Sequence, residues 1–290
     1  MDSREEVIIK TLLYSDFFDY PLKEEEIYKY LITDKRIEKA RFHKILKNLK
    51  APGNSEKGFY FLFGRKDLIA IRKNREKISL LKMQKAKKII KILSLIPTIK
   101  LIGISGALSM KNSDKDDDID IFVITKRGFV WTTRFLMVIL LLALGVYRNK
   151  NSKKYSDKIC LNMLLDEDYM KLEKNLYIAH EITQLVPVFE RDNAYENFLQ
   201  ENEWIKNFMV NVLKDNKNYF KKKSGIMEYV LIFVFNFFVF EKVSKFLQSC
   251  YMRKHITKEI IEDNVLRLHP FDYGYYMLRA YNKKLKELSL

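Results

Sequence analysis

Cysteine is scarce: the 290 residues contain Cys160 and Cys250 and no others. Two such residues set up neither zinc-ligand spacing nor a disulfide framework. Each stands in an apolar context and is expected as a buried thiol in a reducing cytoplasm. Long hydrophobic runs are missing too. The longest, 135–147 and 229–240, fall short of the ~20 residues a spanning helix needs, so both are expected as buried helices. The second is rich in Phe and also suits a homo-oligomer interface or, beside basic residues, a membrane surface. The opening MDSREEVIIK is charged and has no apolar signal core. No Walker-type loop, dinucleotide fingerprint or serine-hydrolase elbow occurs. His180-Glu181 lies in a helical pattern, but position 184 is Gln where a metallopeptidase helix needs a second His. That pair is expected in a structural role or as a site wall, and His269-Pro270-Phe271-Asp272 as a cap to the last helix.

Acidic charge is also in deficit. Lys and Arg number 53 against 37 Asp and Glu, a net charge of +16. The excess suits a polyanionic partner such as nucleic acid or nucleotide phosphates, or simply a solvated basic surface. About half the chain is hydrophobic, enough for a sizeable core, and the length allows two domains.

The expected fold class is α+β in four parts. Residues 1–65 read as three short helices and a hairpin, the order of a winged helix-turn-helix. A third helix from Asp34 to Lys50 would carry Arg36, Lys39, His43, Lys47 and Lys50 at helical steps of three and four. Those side chains would form a basic stripe able to contact nucleic-acid phosphates. Lysine-rich faces are often only solvated, and winged helices also pair with proteins. Residues 66–97 form a linking helix, strongly basic at first and stopped by Pro97. Residues 98–190 hold a mixed sheet flanked by helices: strands at 99–105, 118–125 and 159–165, and helices at 130–147 and 169–185, the latter ended by Pro187. Residues 191–290 are expected as a helical C-terminal region.

The chemistry concentrates in LIGISGALSMKNSDKDDDIDIFVIT, residues 101–125. Along a strand, Asp118 and Asp120 fall on one face while Ile119 and Ile121 point into the core. Two carboxylates so placed repel, and a hard divalent cation, Mg²⁺, relieves this. Gly106 ends the preceding strand, where backbone N–H groups can approach a phosphate. An acidic loop without a ligand is the plainer alternative, since Asp114, Asp116 and Asp117 lie nearby.

This segment resembles the signature of the DNA polymerase β-type nucleotidyltransferase superfamily: a strand ending in Gly-Ser, a loop, then Asp-x-Asp on the next strand. Gly106 stands twelve residues before Asp118, and residues 99–165 carry the likeness. DFFDYPL, DKICLN and LYIAHEITQL extend it to a narrower group of bacterial or archaeal nucleotidyltransferase-like proteins with a winged-helix-like N-terminal domain. The resemblance implies metal ligation by Asp118 and Asp120 and a triphosphate on the turn of Ser105, Gly106, Ala107, Ser109 and Lys111. It also implies transfer of a nucleoside monophosphate to a hydroxyl of RNA, protein or a small molecule. The chain departs from the pattern in three places. Ala107 replaces the expected Ser, Lys111 stands where Gly is common, and Asn162 takes the expected place of the third carboxylate. Asn162 could offer a neutral oxygen to the metal or be an ordinary buried polar group. These departures leave open a second reading, a catalytically degenerate fold that binds nucleic acid or regulates.

Overall fold

Apolar residues recurring on one side of the first segment make it a helix, α1 (Ser3–Asp16), which buries Ile8, Ile9, Leu12 and Leu13. The computed structural model describes residues 3–149, 155–212, 219–225, 240–252, 259–268 and 273–290. After α1 come β1 (Leu22–Lys23), α2 (Glu24–Lys29), α3 (Lys39–Lys47), β2 (Gly53–Glu56) and β3 (Phe59–Leu62). The three strands form an antiparallel sheet in the order β1-β3-β2. Ile27, Leu31, Phe42 and Leu46 close its core against α1.

The third helix is shorter than expected. The Thr33 hydroxyl accepts the Lys35 N–H at 3.1 Å, a local turn that competes with helix, and α3 starts only after Glu38. Arg36 and Lys50 therefore lie outside it. The long basic helix, α4 (Leu68–Leu93), forms as expected.

The central sheet has seven strands in the order β8-β7-β4-β5-β6-β10-β9. Its middle is β4 (Ile99–Ile104), antiparallel to β5 (Ile119–Thr125), which runs parallel to β6 (Ile159–Asp166). Between β4 and β5 lies the one-turn helix α5 (Gly106–Ser109). On one face, α4, α6 (Val130–Ala143) and α9 (Phe240–Met252) cover Ile102, Ile104, Ile119, Ile121 and Val123. On the other, α7 (Leu176–Gln184) and α8 (Ala194–Glu201) cover Leu101, Phe122 and Ile124. The Glu241 carboxylate fixes α9 to α6 by accepting the N–H groups of Trp131 and Thr132 at 2.8 and 2.7 Å, donors that a helix start leaves without intrahelical partners.

Four expectations are corrected here. The helix expected over 169–185 begins only at Leu176. Asn202 holds the preceding stretch extended, accepting the Leu172 N–H and donating to the Met170 carbonyl, and Asn175 caps the helix through the Ile178 N–H. Pro187 does not merely stop that helix but lies inside a strand, β7 (Val186–Arg191), opposite Gly103 where the register slips, a place where a missing N–H is tolerated. The C-terminal region is not wholly helical: β8 (Phe220–Lys222), β9 (Ile260–Ile261) and β10 (Val265–Arg267) extend the central sheet at both edges before α10 (Tyr273–Glu287). The helix at 130–147 also ends early, at Ala143, and Tyr147 bridges to Ile159. Residues 229–239 and 269–272, which carry most of the Phe-rich run and the expected cap, lie outside the described residues. No helix among the described residues is long and apolar enough to cross a membrane.

Candidate active site

Strand alternation puts Asp120 on the face of Phe122, toward α7, and Ile119 and Ile121 in the opposite core. Gly106 makes the site possible sterically. Its φ is +60°, and a Cβ there would stand 2.7 Å from Asp120 Oδ2. The turn and the carboxylate occupy adjoining space only because position 106 has no side chain. Gly106→Ala is expected to destabilise by about 1–2 kcal/mol from the left-handed backbone alone, and to displace the Asp120 carboxylate. A urea midpoint equal to that of the wild type would count against it.

Ser105, Gly106, Asp120 and Asn162 line a single cavity. Ala107 and Lys111 are exposed and are not part of its lining among the described residues. The Ser109 hydroxyl donates back to the Gly106 carbonyl at 2.8 Å. Asn162 Nδ2 donates to Ser105 Oγ at 3.4 Å.

Cys160, expected only as a buried thiol, pairs with Asp120 across β5 and β6; the register then slips, so that Phe122 faces Met163 and Asn162 is the additional residue. Asp118, Asp120 and Cys160 can each bring one ligand atom within 4.8 Å of the other two. The two carboxylates fit Mg²⁺; the soft sulfur does not. Burial, helped by the charges of Asp120 and Asp118, pushes the Cys160 thiol well above its ordinary range, so it offers a neutral thiol rather than a third anion. Cys250, expected buried, is exposed.

Two cations join the site through the fold. Arg148 Nη1 lies 2.7 Å from Asp118 Oδ2 and 3.1 Å from Cys160 Sγ. Lys82, 3% exposed, donates to the carbonyls of Asp117 and Lys115 at 2.5 and 3.1 Å and pairs with Asp157 at 3.4 Å. Both come from strongly basic stretches in which no local signal singles out one residue. Lys82 fixes the acidic loop just ahead of β5. Asp166, at the far end of β6, is committed to the N–H groups of Gly128 and Asp168.

Opposite Asp120, Glu181 lines the same cavity from α7. Burial, then the charge of Asp120, raises its pKa from 4.5 to about 7. Its neighbour His180 stacks on Tyr14 of α1, with centroids 3.8 Å apart, and burial lowers its pKa from 6.5 to about 3. The two have opposite linkage. Between pH 3 and 6.5 the unfolded chain holds a proton at His180 that the folded chain does not, so acid destabilises. Between pH 4.5 and 7 the folded chain holds the additional proton, at Glu181, so acid stabilises. The two effects offset where the windows overlap. Glu181→Gln removes one of them. Measured by urea unfolding in EDTA, its stability should fall relative to wild type by at most about 1.4 kcal/mol per pH unit from pH 6.5 to 4.5. Parallel stability curves would contradict this assignment.

The basic stripe lies on the N-terminal unit. Lys39 and Lys47 are exposed on α3, while His43 is half-buried with its Nδ1 against the Glu24 carboxylate. The unit packs close to the site: Tyr20 donates to the Met110 carbonyl at 2.9 Å and Asn112 to the Phe18 carbonyl at 2.8 Å. Compared with family models, curated proteins and solved structures, the chain matches none.

Proposed function

We propose that the chain is a nucleotidyltransferase, moving a nucleoside monophosphate from a nucleoside triphosphate to an acceptor hydroxyl with a Mg²⁺ ion held by Asp118 and Asp120. The observation that carries this reading is that a Cβ at Gly106 would stand 2.7 Å from Asp120 Oδ2, so that the backbone turn lies directly beside one of the two carboxylates. The order β4, turn, β5, with β6 parallel beside it, supports a nucleotidyltransferase-type sheet. When bound, Mg²⁺ would neutralise phosphate charge and polarise the α-phosphorus. The turn at Gly106 admits the triphosphate close to the backbone. Asp118 and Asp120 hold the cation side of the nucleotide. Arg148, which balances Asp118 in this structure, is near enough to turn to a phosphate once a metal takes over that role. Asn162 keeps Ser105 oriented at the cavity.

The test is product analysis with an α-³²P-labelled nucleoside triphosphate and Mg²⁺, with water or an added alcohol as acceptor. Labelled nucleoside monophosphate or its ester, with pyrophosphate, is expected. Labelled diphosphate with inorganic phosphate would exclude nucleotidyl transfer.

A second reading is favoured by Cys160 beside Asp120 and Arg148 on Asp118: a degenerate site that binds nucleotide without turnover. The three helices and three-stranded sheet of residues 1–65 fit a winged helix, and Lys39, Lys44 and Lys47 are exposed on α3 to meet nucleic-acid phosphates. Bound label that is recovered chemically unchanged would favour this reading.

A further inference from the structure

The cavity beside Asp120 is larger than a metal–phosphate site requires, and its chemistry is different. Its volume is about 600 Å³, inside the roughly 300–1,000 Å³ typical of small-molecule pockets. Asp120 and Phe122 form the β5 side, Tyr177, Ile178 and Glu181 the α7 side, and Tyr273 stands at the start of α10. Its surface is mainly apolar and aromatic. Apart from Asp120, which serves the metal, the charged groups on it are Glu173 and Glu181 against Arg267, so the described lining has no cluster of cations to hold the phosphates of an RNA end. On the α7 side Glu181 sits among Ile178, Ile182 and Leu185, the one carboxyl group on that stretch of wall.

We propose that this cavity is the acceptor pocket, that its occupant is a small molecule carrying a hydroxyl on an apolar, ring-bearing body without phosphate, and that Glu181 accepts the hydrogen bond of that hydroxyl. The proposal deepens the nucleotidyl-transfer reading and rests on it. The transfer balances as follows. The acceptor oxygen bonds to the α-phosphorus, the bond from that phosphorus to the bridging oxygen breaks, pyrophosphate leaves with the electron pair, and the hydroxyl proton passes to Glu181. The aromatic walls hold the body of the acceptor by burial, and Asp120 lies on the same cavity surface, so the hydroxyl is presented toward the nucleotide side.

Isoleucine-methyl NMR of the full chain tests this with benzyl alcohol, benzyl phosphate and toluene as probes. Benzyl alcohol should shift Ile178 and Ile182, and benzyl phosphate should bind at least about tenfold more weakly. At pH 9, where the Glu181 carboxylate is ionised, Glu181→Leu should weaken benzyl alcohol by about tenfold, the worth of one hydrogen bond to a charged group, while toluene binds as before and reports an intact pocket. Saturating MgATP should leave benzyl alcohol in place. Equal binding of alcohol and phosphate, no shift at Ile178 and Ile182, or displacement by MgATP (the nucleobase then filling the cavity) would each overturn the proposal. Probe binding as described in a chain that shows no MgATP binding would instead refute nucleotidyl transfer, and the acceptor role with it, so the two failures are distinguishable.

Discussion

Asp118→Asn and Asp120→Asn are each expected to lower pyrophosphate release from a nucleoside triphosphate by at least about a thousandfold, or roughly 4 kcal/mol of transition-state stabilisation. The reason is charge rather than shape. Asparagine keeps the volume and one oxygen but removes the anion that holds a divalent cation against the phosphates. Folding should be little affected. Loss of Asp118 removes a partly exposed ion pair with Arg148, and pairs of that kind contribute about 1 kcal/mol or less. Asp116→Asn is the control: Asp116 is exposed in the acidic loop and no part of the site. Its release rate should match wild type. If all three variants behaved alike, the acidity of the loop as a whole, and not the strand pair, would be what matters. Steady-state release with colorimetric pyrophosphate detection, beside urea midpoints, separates the two.

The largest stability effect is expected at Arg191. It is fully buried, and its guanidinium donates to the carbonyls of Ser94, Ile96, Pro97 and Ile99, at distances from 2.6 to 3.3 Å. Carbonyls at a helix C-terminus have no intrahelical donors, and this turn leads from α4 straight into β4. Arg191→Met keeps much of the apolar stem and strips every donor. The expected cost is about 3–5 kcal/mol, since several buried acceptors are orphaned together. Arg127, exposed and paired with Asp168, is the comparison: Arg127→Met should leave the urea midpoint unchanged. A loss below about 1 kcal/mol at Arg191 would mean that water satisfies the turn equally well. Because β4 leads to Gly106, the Arg191 variant should also weaken nucleotide binding in proportion to its unfolded fraction.

The parts of the molecule legible from sequence were those specified locally. The apolar runs at 99–105 and 118–125, the alternation through Asp118 and Asp120, and the helix at 68–93 each carry their periodicity within a single segment. What escaped depends on partners distant in the chain. β9 and β10 are only two and three residues long and become strands because β6 is there to pair with β10, and β10 in turn with β9. Pro187 is strand-compatible only because β4 slips register opposite it. The pairing of β5 with β6, whose register slips only after Ile121, decides what stands beside Asp120. Counting along ICLNMLL selects Asn162, whereas the observed pairing selects Cys160. Glu181 left a better trace, an acid in an otherwise apolar helix face, but its approach to Asp120 across the cavity is purely tertiary. Arg148 and Lys82 are two among 53 basic residues, and only the fold distinguishes them.

The central claim is that Asp118 and Asp120 together form a divalent-metal and nucleotide site. Mn²⁺, a paramagnetic stand-in for Mg²⁺, makes it directly measurable by electron paramagnetic resonance of the uncomplexed ion, titrated into the protein with and without a non-hydrolysable nucleoside triphosphate. The expected result is saturable Mn²⁺ binding to wild type that tightens with nucleotide beyond what nucleotide alone binds, and its loss in both Asp118→Asn and Asp120→Asn. Mn²⁺ binding that is equal in wild type and both variants would contradict the assignment of the site.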